Sequence, residues 1–309
     1  MKVVAGYIAA AGVLAAVAFA LSSYHMDVYR KLLLWITLAL SYDFLFGIAG
    51  QIVFSHFAFY GMGAYVVVIL TFQAGLPLAL AIPAGLALCI VLAVAVAIPA
   101  ARLEGFYLAL ATLAFAQLFI VALNEGGTLT GGTGGLANYR LPSLLGYSLS
   151  GPAYTAVIAT LAVATYGLLR RLDRSWFGRA CRAIRDNPRA AAAMGIDVAR
   201  TRIAAYTLTS GLAALAGMVY AFVDNTVSPP VFGLENAFLL LFMVIVGGSG
   251  TRSGPIAGAT LLYLLPFVLA PIVGHHHALL FGVFMVAVML LEPRGLTGLF
   301  SRLQRRERL

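Results

Sequence analysis

Residues 44–101 read FLFGIAGQIVFSHFAFYGMGAYVVVILTFQAGLPLALAIPAGLALCIVLAVAVAIPAA, without one Asp, Glu, Lys or Arg. A membrane-spanning helix takes about 20 apolar residues, so this stretch is far too long for one helix. Gly47, Gly50, Gly61, Gly63, Pro77 and Pro83 are the available punctuation, and they predict several spans with broken or re-entrant pieces buried in protein.

The rest of the chain agrees. Of its 309 residues, 62% are hydrophobic and 10% charged, against roughly 45–50% and 25% in soluble domains. Eleven acids and twenty bases cannot coat a soluble surface of this size, and the composition equally excludes a disordered chain. The expected solvent is the bilayer. Apolar runs place spans at Val3–Leu21, Leu32–Gly50, Phe57–Thr71, Leu78–Ala100, Phe106–Leu123, Pro152–Leu169, Ile203–Val223, Asn236–Gly250, Pro255–Val273 and Ala278–Leu291. The fold class is therefore an all-α, polytopic membrane protein of about ten transmembrane helices, with eight or nine as variants. Val3–Leu21 also resembles a signal peptide, with Lys2 before it and Ala18-Phe19-Ala20 as a cleavage-like triplet. Its apolar run is longer than a signal core, and it reads as a retained first span.

The net charge is +9, and placement matters more than amount. Nine arginines fall between Arg170 and Arg202, and five lie in the basic tail 292–309. Basic clusters bounding apolar spans read as cytoplasmic loops rather than as a nucleic-acid surface. If every span crosses once, Lys2, Arg102, Arg252 and those fourteen arginines share the cytoplasmic side, and only Arg30, Lys31 and Arg140 oppose them. Both termini then face the cytoplasm. Cys89 lies in an apolar span and Cys181 in the arginine loop, so neither a disulfide nor a metal site is expected.

Two loops stand out. The external loop 124–151 is glycine-rich and reads as a flexible connector. The loop 170–202 carries more information. Ser175 can cap a helix starting at Trp176, whose apolar face is Phe177, Ala180, Cys181 and Ile184, with Arg179, Arg182 and Arg185 as a separate stripe. Asn187-Pro188 is a restart signal, Gly195 a stop, and Asp197 a cap for the helix entering the next span. The short helix between, Pro188–Met194, holds Arg189, four alanines and a methionine: a small, smooth knob. It suits a groove on a protein partner, while a basic amphipathic segment on anionic lipid is the other reading.

Chemistry is sparse. A P-loop needs a Lys after Gly, and the only lysines, Lys2 and Lys31, follow Met1 and Arg30. No nucleophile–base set or paired carboxylate falls at one membrane depth, so this is not an enzyme and carries no cofactor of its own. Asp43 is the one acid inside a span: an ion or substrate site, or a carboxylate satisfied by a neighbour such as Tyr42. Gln51, Ser55 and His56 form a polar seam that lines a pathway or satisfies a helix break. His275-His276-His277 reads as a solvated turn rather than a metal site, and Gly247-Gly248-Ser249-Gly250 as a tight turn or close packing.

The segment Ser175-Trp176-Phe177-Gly178-Arg179-Ala180-Cys181-Arg182-Ala183-Ile184-Arg185-Asp186-Asn187-Pro188, running into Ala193-Met194-Gly195-Ile196, resembles the cytoplasmic loop of branched-chain amino acid ABC importer permeases, the M-type more than the H-type. Gly50-Gln51, Ser55-His56, Gly61–Tyr65, Gly105-Phe106-Tyr107, Thr112–Phe115, Leu129–Thr133, Val246-Gly247-Gly248, Gly254-Pro255 and Pro293–Leu296 follow the same pattern in order, over roughly residues 35–300. The resemblance implies a permease subunit paired with a second, H-type permease, an external substrate-binding protein, and two cytoplasmic ATPase subunits that bind ATP and magnesium. It places Pro188–Met194 as the coupling helix, with Arg179, Arg182, Arg185, Pro188, Arg189, Met194 and Gly195 serving that contact. The chain departs from the pattern at Ala192, where many members have Glu, at Asp43, where Asn is usual, and at Gly134, where an acidic or amide residue is common. A urea or short-amide importer permease shares much of the pattern. A secondary transporter using Asp43, or a membrane partner without transport of its own, are readings of other classes.

Overall fold

Hydrocarbon leaves a peptide group no partner but another peptide group, so apolar runs become helices. The computed structural model describes residues 2–17, 22–137, 139, 143–144, 147–148, 151–251, 253–273 and 282. Its helices are α1 (Lys2–Val17), α2 (Ser23–Asp43), α3 (His56–Val68), α4 (Leu78–Ala100), α5 (Gly105–Glu125), the short α6 (Gly127–Thr130), α7 (Pro152–Arg174), α8 (Trp176–Asp186), α9 (Pro188–Ala193), α10 (Val198–Asp224), α11 (Leu234–Gly247) and α12 (Gly254–Val273). Seven helical stretches are long and apolar enough to cross a membrane; Gly254–Val268 of α12 is a shorter apolar helix, α1 has 16 residues, and the expected last span, 278–291, lies outside the described residues. So do the histidine triplet 275–277, the tail 292–309, and residues 18–20 of the cleavage-like triplet.

Long-range polar contacts sort the helix ends into two faces. At the arginine-rich end, Arg202 meets Glu104 at 3.0 Å, Gln51 Nε2 donates to the Arg202 carbonyl at 3.4 Å, and the Gly250 N–H donates to Asp43 at 2.7 Å. At the other, glycine-rich end, Lys31 meets Asp224 at 2.8 Å, and the strand Leu136–Ala137 pairs antiparallel with Thr226–Val227. Successive spans α2, α3, α4, α5, α7, α10, α11 and α12 therefore alternate in direction, as single crossings require.

Helix α3 forms the centre. It is apolar on every side, the pattern of a helix with no exposed face, and every residue from His56 to Val68 is buried except Val66. It lies against α10 backbone to backbone: a Cβ on Gly63 would collide with the Ala214 carbonyl, and one on Gly217 with the Tyr60 carbonyl. Small residues admit such approach, and packing drives helix association in lipid. By contrast, only seven of the 23 residues of α4 and five of the 21 of α5 are buried, so their outer faces meet lipid or another protein.

The punctuation of 44–101 resolves differently from its sequence reading. Gly50, at φ +70°, and Pro77, the residue before α4, are true breaks. Gly61 and Gly63 lie inside α3, where they serve packing, and Pro83 lies inside α4, beyond its first turn, where it removes one intrahelical bond without ending the helix. Helices α2 and α3 each end in a π-helical turn, Phe44–Ile48 and Ile69–Gln73.

Arg30 and Lys31 also differ from expectation. They belong to α2, which begins at Ser23, rather than to a loop. Arg30 is 8% exposed; its guanidinium donates to the Gly151 carbonyl (2.6 Å), to Thr155 Oγ1 (2.9 Å) and to Asp27 (2.8 Å). These two bases sit opposite the arginine-rich end because each has a fixed partner there. The described part of 124–151 is likewise tied down: Tyr139 donates to the Ala221 carbonyl at 2.5 Å, and Gln73 Nε2 to the Leu129 carbonyl at 2.9 Å.

Candidate functional site

The candidate site is the arginine-rich end, where α7, α8, α9 and α10 follow one another through three breaks. Helix α8 starts at Trp176 as its sequence predicts, but Ser175 does not cap it. The Ser175 hydroxyl instead donates to the Leu172 carbonyl at 2.6 Å, closing the end of α7. Ala180, Cys181 and Ile184 are buried, and Phe177 stacks on Phe44 with ring centroids 6.0 Å apart and planes at 14°. Burial pushes the Cys181 thiol up to about 12, and both Cys181 and Cys89 are free.

The caps of α9 and α10 form as read. Asn187 Oδ1 accepts from the N–H groups of Arg189 and Ala190, both at 3.1 Å, and Pro188 takes the first helical position. Asp197 accepts from the Arg200 N–H at 2.9 Å. Gly195 turns the chain at φ +83°, a conformation that costs glycine nothing. Ala191 is buried against the body, whereas Arg189, Ala192 and Ala193 are exposed and Met194 is 83% exposed. The result is a small knob with a flexible thioether at its tip.

The arginine stripe is split between two tasks. Arg179 donates to the Arg174 carbonyl at 3.1 Å and is otherwise exposed. Arg182 pairs with Asp173, and Arg185 donates to the Gly47 carbonyl, reaching from α8 into the π-helical turn that ends α2. Gly47 and Gly50 have no room for a side chain here: Arg185 fills the space at Gly50, and Gly250 with Asp43 the space at Gly47.

Asp43 is 5% exposed and accepts the Gly250 N–H, holding the turn between α11 and α12. Gly248 and Gly250 have positive φ in that turn, and Gly247 packs against Gly254 and Gly258, so the glycine run provides both the turn and the close packing. Asp43 borders a small hollow with Phe44, Arg170 and Asp173. It is not next to the polar seam in its bonding. Ser55 Oγ lies 2.6 Å from Tyr206 Oη, and His56 Nε2 lies 2.9 Å from Ser41 Oγ, both pairs buried among α2, α3 and α10. His56 Nδ1 is buried and has no partner among the described residues. Sequence reasoning missed Arg170, Asp173, Tyr206 and Gly250 as neighbours of this end. Only Gly250 carried a signal, its place in a glycine run.

Alternating apolar spans, joined at one end by capped amphipathic and knob-like helices, define a polytopic membrane protein, and its relatives are transport permeases rather than catalytic enzymes. The family is shown by comparison. The chain belongs to the family described as branched-chain amino acid transport system, permease component, whose pattern matches residues 24–292. It is similar to the high-affinity branched-chain amino acid transport system permease protein LivM of Escherichia coli, 27% identical over 90% of this chain and 71% of that protein. The LivM protein of Salmonella typhimurium is 26% identical over the same shares. The autoinducer 2 import system permease protein LsrC of Klebsiella pneumoniae is 35% identical, over 52% of this chain and 50% of that protein. No solved structure matches.

Proposed function

We propose that this chain is the M-type permease subunit of an ATP-driven importer for branched-chain or related amino acids. A second, H-type permease lies beside it, an external binding protein delivers substrate at the glycine-rich end, and two cytoplasmic ATPase subunits dock at the arginine-rich end. ATP and magnesium belong to those ATPases. The observation that carries the reading is the contrast within one loop. Arg182 and Arg185 are each bonded to the body, to Asp173 and to the Gly47 carbonyl, while Arg189, Ala190, Ala192, Ala193 and Met194 are exposed.

Such a knob fits a groove, since Met adapts to irregular apolar surfaces and alanines allow close approach. A push on α9 passes to α8 through Asn187, from α8 to the end of α2 through Arg185 and Gly47, and from α2 to the α11–α12 turn through Asp43 and Gly250. Asp43 is in this reading a joint rather than an ion site: its carboxylate accepts the Gly250 N–H and so ties the end of α2 to the α11–α12 turn. In the same reading Arg179, Pro188 and Gly195 shape the contact surface.

Uptake into proteoliposomes carrying both permeases, the ATPases and the binding protein tests it, with amino acids, urea and autoinducer-type sugars as competing substrates. ATP-dependent accumulation of a branched-chain amino acid is expected. Uptake that persists without ATP and collapses with the proton gradient would overturn the reading.

A further inference from the structure

Two hollows meet on the side of the molecule away from α3. One, of about 540 Å³, runs between α1, α2 and α7 and is walled by Leu14, Leu33, Ile36, Ala162, Val163 and Tyr166. The other, of about 600 Å³, lies against α7 and is bordered by Arg170, Arg171 and Arg174. Tyr7, Val163 and Arg170 line both, so they form one continuous furrow: apolar along its length, and cationic where α7 reaches the arginine-rich end.

Among the described residues, the bases at this end outnumber the acids: Arg170, Arg171 and Arg174 border the furrow, and Asp43 and Asp173 share a hollow with Arg170. Two carboxylates lie near it, and each has a partner: Asp43 accepts from the Gly250 N–H, and Asp173 pairs with Arg182. Arg170 Nε is buried and has no hydrogen-bond partner among the described residues. A buried guanidinium N–H without an acceptor is costly, and a planar guanidinium matches phosphate oxygens two at a time. The furrow beside it offers no polar wall to fill with water; it suits a hydrocarbon chain. Tyr7 and Tyr166, packed edge to face at 6.3 Å, stand between the apolar and cationic parts with a ring on one side and a hydroxyl available to a headgroup.

We propose that this furrow is a binding site for one anionic phospholipid, with its phosphate on Arg170, Arg171 and Arg174 and an acyl chain between α1 and α7. Basic pockets between spanning helices are the setting in which anionic headgroups are held. The lipid seals α1, which touches the body chiefly along α7, onto the bundle. The site stands apart from the transport reading, since it involves neither substrate nor ATPase.

The test uses the full chain in mild detergent, offered phosphatidylglycerol, phosphatidylcholine or inorganic phosphate in separate arms. Native mass spectrometry reads retained lipid, and a melting curve reads stabilisation. Phosphatidylglycerol is expected to be held at least about tenfold more tightly than phosphatidylcholine, and inorganic phosphate neither to stabilise the protein nor to displace the lipid. The triple variant R170Q/R171Q/R174Q is expected to lose the preference. Val163→Trp, which leaves every arginine in place but fills the furrow, is expected to lose retention of either lipid. Equal retention of the two lipids by the wild-type chain overturns the proposal. So does a preference that survives both variants, or displacement of the lipid by inorganic phosphate, which would mark a simple anion site.

Discussion

The Arg185 guanidinium on α8 donates to the carbonyl of Gly47, a residue 138 positions earlier in the π-helical turn that closes α2. Gly47 is among the last residues of that helix, whose final carbonyls have no N–H of the helix to accept from, and a charged donor compensates. Arg185→Ala is expected to destabilise the chain by about 1.5–3 kcal/mol, read as a lowered melting temperature in detergent. In the reconstituted importer it should also leave ATP hydrolysis running with reduced uptake. Unchanged stability and coupling would remove this bond from the mechanism.

Asp43 and Gly250 make a separable prediction. Asn keeps an oxygen that can accept the Gly250 N–H, whereas Leu does not. Asp43→Asn should retain stability and ATP-driven uptake, and Asp43→Leu should lose about 1–3 kcal/mol. Loss of uptake in Asp43→Asn with normal stability would point instead to a role for the carboxylate charge.

The approach of α3 to α10 admits no side chain at Gly217. Gly217→Val is expected to cost about 3 kcal/mol or more by forcing the helices apart, seen as lost expression or an early melt. A Gly217→Val protein that melts with the wild type would disprove the close contact.

Cysteine accessibility separates the two faces of the α8–α9 region. Cys181 is buried, and its thiol is raised to about 12, so at neutral pH it is protonated and should resist a maleimide in the folded chain. Because deprotonation is disfavoured by burial, raising the pH to about 9 should not release it until the chain unfolds. A Met194→Cys variant should label rapidly, and only from the cytoplasmic side of intact cells or inverted vesicles. Labelling from the outside would overturn the proposed orientation.

The cap on α9 is local and correspondingly modest. Asn187→Ala should cost about 1 kcal/mol, and Asn187→Asp much less, because Asp accepts the same two N–H groups. Hydrogen exchange at Arg189 and Ala190 reads the difference directly.

What could be read in advance follows from the range of the forces involved. Spans come from hydropathy alone, and Asn187, Pro188, Gly195 and Asp197 act on neighbours within four residues, so both were legible before any fold was known. Ser175 was misread because one hydroxyl between two helices can serve either, and only geometry decides. The inward turn of Arg182 and Arg185, the burial of Arg30 and the partner of Asp43 depend on residues 9, 138, 125 and 207 positions away. No local period encodes them. The glycines of α3 gave a true signal of special backbone, but a break and a close contact look alike until the neighbouring helix is present.

The polar contacts that sort the helix ends also partition the work of opening. Among the described residues, the long-range ion pairs and backbone bonds between elements gather in two belts, one at each end, while Gly63 and Gly217 hold the level between them by shape alone. Shape-held contacts can slide or rock with little directional penalty, whereas the belts break bond by bond. A rearrangement that undoes the Arg185 and Asp43 bonds leaves those of Arg30, Lys31 and Tyr139 standing. The two ends can therefore unfasten in turn, each while the other stays shut.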